Sequence, residues 1–158
     1  MALATAYKKE YGRKEQFIIL WPNIDAGSDA LSAALRRHRI AGREGVKMFK
    51  HLSSSSLFSN ILRNASCVVG NSSSGIREAC YFGTPVVNIG SRQAGRERGH
   101  NVLDVPNERV LIQKALEKQI AHGSYEPEYL FGDGSAGKKL IDICASSELP
   151  NIQKRIQY

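Results

Sequence analysis

"CVVGNSSSGIREACYFGTPVVNIGSRQAGR", residues 67–96, decides the fold. An apolar run, Cys67-Val68-Val69-Gly70, breaks into Asn71, three consecutive serines and Gly75, then resumes with a helical pattern. A second apolar run, Pro85–Ile89, follows. Short continuous apolar runs bounded by turn residues suit strands buried on both faces. A strand, a helix and a second such strand make a right-handed crossover between parallel neighbours. Polar, permissive residues between two buried elements imply that the turn itself faces something. A phosphate is the candidate, because amides at a helix start are unpaired and the helix dipole attracts an anion.

The same alternation extends outward in both directions. Upstream, "FIILWP" (Phe17–Pro22) is a strand buried on both faces. Ser28 can cap a helix through "DALSAALRRHR", with Asp29 in its first turn and arginines in its last, which suits the dipole. "VKMFKHL" (Val46–Leu52) is a strand, and a serine run, Ser53–Ser56, leads into the helix "LFSNILRNA". A helix from about Gly75 to Tyr81 fills the central crossover. Downstream, "NVLDV" (Asn101–Val105) is a strand and Glu108–Ala121 a longer amphipathic helix. The loop "HGSYEPEYLFGDG" precedes a last helix at about Ser135–Ala145. The expected fold class is α/β, a Rossmann-like doubly wound parallel sheet with helices on both faces. No repeat, low-complexity tract or linker marks a second domain, so residues 1–158 read as one domain. In such sheets ligands bind at the carboxyl ends of the strands. Three polar segments are expected there, Asn23–Ser28, Leu52–Ser55 and Asn71–Gly75.

Composition bounds the rest. The chain has 158 residues, 42% hydrophobic and 23% charged, which suits a soluble globular domain. No apolar run reaches the ~20 residues of a membrane span. Met1–Lys14 lacks the apolar centre of a signal peptide, so a cytoplasmic location is expected. Three cysteines, Cys67, Cys80 and Cys144, show no metal spacing and read as free thiols. The triplets Asn64-Ala65-Ser66 and Asn71-Ser72-Ser73 are then glycosylation motifs without a glycosylating compartment. A net charge of +7 raises nucleic acid as a partner. However, Lys and Arg are dispersed, with only Arg36–Arg43 dense, and aromatics do not interleave with them as stacking platforms require. A basic cleft for a small polyanion accounts for the charge without nucleic acid.

The motifs point the same way. Ser72, Ser73 and Ser74 lie at a helix start, and Gly75, having no Cβ, would allow a ligand to approach closely. Glu78 falls one turn further in, where a carboxylate could accept hydrogen bonds from the two vicinal hydroxyls of a ribose. The plain alternative is serine capping with Glu78 complementing the dipole. "GSRQAGRERG" offers Arg92, Arg96 and Arg98, whose guanidinium groups suit a diphosphate. Arg92 is favoured as nearest the strand end, whereas Arg96 and Arg98 equally suit a solvated loop. "GDGSAGKK" (Gly132–Lys139) fits neither a dinucleotide fingerprint nor a Walker loop. Only 21 residues follow Gly137, and no Ser or Thr follows the lysine. His38, His51, His100 and His122 have no paired carboxylate or metal spacing, and no nucleophile elbow or acidic pair stands out. The legible chemistry is ligand holding, with neither cofactor nor metal called for.

"PNIDAGSD" together with "GNSSSGIREACYFGTPVVNIGSRQAGRERGHNVLDV" resembles the UDP-N-acetylglucosamine 2-epimerases, especially the hydrolysing type of sialic-acid pathways. The resemblance runs from about Phe17 to Ile143. It implies the C-terminal half of a two-domain glycosyltransferase-B arrangement, with a UDP-sugar held between the domains and the N-terminal domain supplied elsewhere. It implies contacts to UDP from Asn23 (nucleotide), Leu52 (main chain to uracil), Ser72 and Ser73 (diphosphate), Glu78 (ribose hydroxyls) and Arg92. The implied reaction removes the C2 proton, eliminates UDP to leave a 2-acetamidoglucal and adds water to give N-acetylmannosamine. The family's catalytic histidine lies before the first strand of this chain, and its acidic residues lie in the N-terminal domain, so no catalytic residue is expected here. Arg36, Lys50 and His51 match the region where the regulated animal enzyme binds its feedback inhibitor, but Asp29 and Ala33 stand where that enzyme has a lysine and an extra arginine. A half of a nucleotide-sugar glycosyltransferase and a stand-alone binding module are the competing readings. The sugar and any homo-oligomer are left open.

Overall fold

The computed structural model describes residues 4–5, 16–22, 28–38 and 42–146. The two-residue β1 (Ala4–Thr5) is followed by β2 (Phe17–Leu20), α1 (Ser28–Arg37), β3 (Val46–Phe49), α2 (Ser55–Asn64) and β4 (Val68–Gly70). Then come α3 (Ser73–Ile76), α4 (Glu78–Phe82), β5 (Val86–Ile89), β6 (Val102–Val105), α5 (Arg109–His122) and α6 (Ala136–Ser146). The strand–helix alternation legible in the apolar runs is thus present. The central helix begins at Ser73 and is interrupted at Arg77 (φ −87°, ψ −63°).

β4, β5 and β6 pair in parallel, with Gly70 opposite Asn88 and Asn88 opposite Asp104. β2 and β3 form a second parallel pair. β1 pairs with β4 and also lies against β2, so the strands follow one another as β3, β2, β1, β4, β5, β6. That is the order of doubly wound dinucleotide-binding folds. The structure corrects the expected sheet in two respects. β1 runs antiparallel to β4, with Ala4 opposite Val69 and Thr5 opposite Val68. Its two residues bond to β4 alone, so β2 and β3 remain a separate ladder. The second correction concerns β2, in which only Ile19 is buried while Phe17, Ile18 and Leu20 are half-buried. Neighbouring strands cover only a strand's edges, and the layers over the two faces of β2 leave these residues partly accessible.

The core forms where β4 and β5 alternate their side chains between two layers, as the pleat requires. Val68 and Val86 point to one side and pack with Leu62, Ala65 and Ala79 from the α2 and α4 region. Cys67 and Val87 point to the other side and pack with Ala115, Leu116 and Ile120 of α5. At the amino ends of the strands, Gln119 of α5 is fully buried and donates to the carbonyls of Val86 (2.7 Å) and Asn101 (2.9 Å). The hydroxyl of Tyr125 donates to the Gln119 amide oxygen at 2.6 Å. Ser54 caps α2, its Oγ accepting from the Leu57 N–H at 3.2 Å. α6 buries no residue, and Leu140, Ile141 and Ile143 are exposed on it. No helix among the described residues is long and apolar enough to cross a membrane.

Gly83 ends α4 in the left-handed conformation (φ 64°), its N–H donating to the Ala79 and Cys80 carbonyls. A Cβ there would sit 2.0 Å from the Tyr125 carbonyl oxygen. Gly95 has φ 75° but open space around it. Gly83→Ala should therefore lose about 2–4 kcal/mol, from left-handed strain plus overpacking. Gly95→Ala should lose about 1 kcal/mol, from strain alone. Urea unfolding midpoints measure both, and equal losses would show that the Tyr125 contact does not constrain position 83.

Candidate functional site

β4 delivers the chain at Gly70 into Asn71 and then Ser72, whose extended backbone (φ −78°, ψ 146°) makes it the N-cap of α3. Ser72 Oγ accepts from the Ser74 N–H at 3.1 Å, and its carbonyl accepts from the Gly75 N–H at 3.2 Å. Two amides of the first turn are therefore satisfied within the turn. Ser72 and Ser73 are half-buried where β4 ends. Gly75 differs from its expected role. It is buried, and a Cβ on it would lie 3.1 Å from Val86 Cγ1 and 3.7 Å from Val68 Cγ1. Its lack of a side chain lets α3 sit close on the sheet, and ligand approach is not what requires it.

The loop after β5 lies against this turn. Gln93, 2% exposed, donates from Nε2 to the Asn71 carbonyl at 2.8 Å. Arg98 donates from Nη2 to the Gln93 carbonyl (2.7 Å) and from Nε to the Arg96 carbonyl (3.1 Å), and its Nη1 pairs with Asp104 Oδ2. Asn88 Nδ2 donates to the other Asp104 oxygen at 2.6 Å. Arg98 is thus engaged within the loop, and the reading of it as either a diphosphate partner or a solvated residue is corrected. Arg92 and Arg96 are exposed on the same loop. Gln93 escaped the sequence reading because a neutral amide in a basic loop carries no motif signal. Its burial beside Asn71 appears only once β4 and β5 are adjacent.

Glu78 opens α4 and is exposed. It lines a cavity of about 360 Å³ together with Ser59, Arg77, Tyr81, Phe82, Glu128 and Phe131. The Arg77 guanidinium lies 5.5 Å from the centre of the Phe131 ring, and Tyr81 meets Tyr129 edge-on. These aromatics were not singled out in the sequence, because helical and loop aromatics usually signal packing. Leu52 is half-buried between β3 and α2. Asn23 lies outside the described residues. The structure thus brings the Ser72–Ser73 turn and the Arg92 loop together at adjacent strand ends, with Glu78 on the helical segment that continues from the turn. No cluster of His, Cys, Asp or Glu able to hold a metal is found among the described residues.

Comparison with known proteins gives the following. The family described as UDP-N-acetylglucosamine 2-epimerase matches residues 2–145. The UDP-N,N'-diacetylbacillosamine 2-epimerase (hydrolyzing) of Legionella pneumophila is 35% identical over 128 residues, covering 81% of this chain and 33% of the relative. The UDP-N-acetylglucosamine 2-epimerase of Neisseria meningitidis is 27% identical over 146 residues, 89% of this chain and 38% of the relative. The GDP/UDP-N,N'-diacetylbacillosamine 2-epimerase (hydrolyzing) of Campylobacter jejuni is 35% identical over 96 residues, 61% of this chain and 24% of the relative. The matched part of the chain therefore spans between 24% and 38% of the length of these curated relatives.

The buried thiols stand apart from this chemistry. Burial pushes the Cys67 thiol up to about 12 from 9.0, and burial with the nearby Glu128 carboxylate raises that of Cys80. Cys144 is exposed on α6. Alkylation at pH 8 should label Cys144 rapidly and the other two only on unfolding, as read by mass spectrometry of tryptic peptides. Above pH 9 the unfolded chain releases the Cys67 proton while the folded chain keeps it. Stability should accordingly fall between pH 9 and about 12. Unfolding midpoints of a Cys67→Ala variant that declined equally over that range would assign the loss to other groups.

Proposed function

The chain belongs to the UDP-N-acetylglucosamine 2-epimerase family, and we propose that it is the UDP-binding part of a hydrolysing member, inactive when alone. One observation carries this reading. The Asn71–Gly75 turn and the Arg92 loop, separate in sequence, are bonded together at the carboxyl ends of two adjacent parallel strands. That is where doubly wound folds bind their ligands. In this reading Ser72 and Ser73 hold the diphosphate and Arg92 adds a guanidinium for its charge. Glu78 accepts from the ribose hydroxyls, Leu52 meets the uracil through its main chain, and Asn23 contacts the nucleotide. The site's part in catalysis is to stabilise the negative charge that develops on departing UDP. The groups that remove the C2 proton belong to the remainder of a longer protein, a facing N-terminal domain that would also enclose the sugar. Each relative acts on a nucleotide sugar by its name, and the sugar used here is N-acetylglucosamine in this proposal.

Calorimetric titration tests the assignment. UDP should bind with a dissociation constant on the order of 0.1–1 mM, since the facing domain is needed for the rest of the binding energy. Added salt should weaken it, because the phosphates carry much of the attraction. Glu78→Gln should weaken UDP about tenfold but leave 2′,3′-dideoxy-UDP nearly unchanged, as the diol loses its strong acceptor. Equal losses for both ligands would reduce Glu78 to a complement of the helix dipole. Long incubation with UDP-N-acetylglucosamine should yield no N-acetylmannosamine, and its formation by the purified chain would place the catalytic groups within these residues.

A further inference from the structure

The bonds around Gln93 do more than close a loop. We infer that Gln93 and Arg98 are positioning residues for the diphosphate site, locking the Arg92 loop and the serine turn into one preset unit; this rests on the UDP-binding reading above. The geometry begins with the peptide between Asn71 and Ser72. A trans peptide is planar, and its C=O and N–H point in opposite directions. The Asn71 carbonyl is held at 2.8 Å by the Nε2 of a side chain only 2% exposed, so it points into the protein. The Ser72 N–H of the same peptide must then point away from the interior. The bond also occupies a carbonyl oxygen that would repel an anion if the peptide turned over.

Gln93 is itself held. Its carbonyl accepts from Arg98 Nη2 at 2.7 Å and from the Arg96 N–H at 3.3 Å. Arg98 is anchored by Asp104 of β6, and Asp104 is fixed in turn by Asn88 of β5 at 2.6 Å. The chain of contacts runs from β6 through Asp104, Arg98 and Gln93 to the end of β4, crossing three strands of one sheet. Arg92 directly precedes Gln93, so its backbone is placed by the same bonds. Asp104 offsets the Arg98 charge within the loop. Arg98 therefore acts on the site through geometry, and Arg92, exposed on the same loop, is the guanidinium that the functional reading assigns to the diphosphate. A planar fork is required at position 98, because one side chain must reach two main-chain carbonyls and a carboxylate in different directions.

The test titrates UDP and uridine into the chain and into two variants, Gln93→Met, which keeps volume but cannot donate, and Arg98→Lys, which keeps charge but loses the fork. Both nuclear magnetic resonance shifts and thermal unfolding are recorded. UDP should bind about tenfold more weakly to Gln93→Met and severalfold more weakly to Arg98→Lys. Uridine, which lacks the diphosphate, should change less than twofold, and the Ser72 amide resonance should move in the ligand-free variants. Folded variants that bind UDP as the parent does, or that lose uridine as strongly as UDP, would overturn the inference. Should Gln93→Met not fold, Arg98→Lys decides alone by the same two ratios. Should the parent chain not bind UDP, the functional reading falls, and the Ser72 amide still decides positioning: unmoved in both variants, it rejects the role.

Discussion

β5 is buried on both faces and paired along both edges, and that confinement governs everything around it. A strand so enclosed makes an unpaired polar group costly along its length, and most of the polar chemistry around it gathers toward its two ends. At the amino end, Gln119, Asn101 and Thr84 satisfy main-chain carbonyls: Asn101 Nδ2 donates to the Thr84 carbonyl (2.7 Å) and Thr84 Oγ1 to that of Leu62 (2.9 Å). At the carboxyl end, Asn88, Asp104, Arg98 and Gln93 form a bonded chain of donors and acceptors. One end is sealed by a helix and the other carries the loops that a ligand can meet.

The amides at both ends share a pattern. Asn88, Gln93 and Asn101 each use the side-chain nitrogen as a donor, while the amide oxygen has no partner among the described residues. Their acceptors are the main-chain carbonyls of Asn71 and Thr84 and the Asp104 carboxylate, so it is the donor that is used. An orphaned oxygen is unfavourable. Its retention at three positions fits a structure in which holding particular acceptors outweighs local polar satisfaction. Glu128 follows the opposite logic on the outer surface. It accepts from the His100 ring and backbone N–H, which hold its carboxyl below the usual carboxylate range.

Much of the architecture was legible because it depends on local chemistry. Continuous apolar runs marked β4 and β5, the serine runs marked where α2 and α3 begin, and the basic last turn of α1 marked its end. Sequence could not show β1, because two residues of Ala and Thr have no period, and their antiparallel pairing is settled by the edge of β4. The half-exposed β2 looked like an inner strand for the same reason, since an apolar run states what can be buried and not what is available to cover it. At the site, the serines and Arg92 announced themselves by type. Gln93 and Arg98 took their roles from neighbours 22 and 6 residues away in the chain. Gly75 was recognised as special, but for the wrong partner, because a missing Cβ is equally useful toward a ligand or toward a valine.

That valine also limits substitution beside it. Position 75 can gain a methyl group only if Val86 Cγ1, 3.1 Å from the would-be Cβ, first gives way. Val86 belongs to the layer that anchors α2 and α4, so shrinking it alone would open a void before any compensation arrived. A methyl at 75 requires Val86 to give by a few tenths of an ångström, whereas the exchange of both residues together would conserve volume. Changes at the two positions are therefore coupled, and the seat of the serine turn is more constrained than the exposed loop beside it.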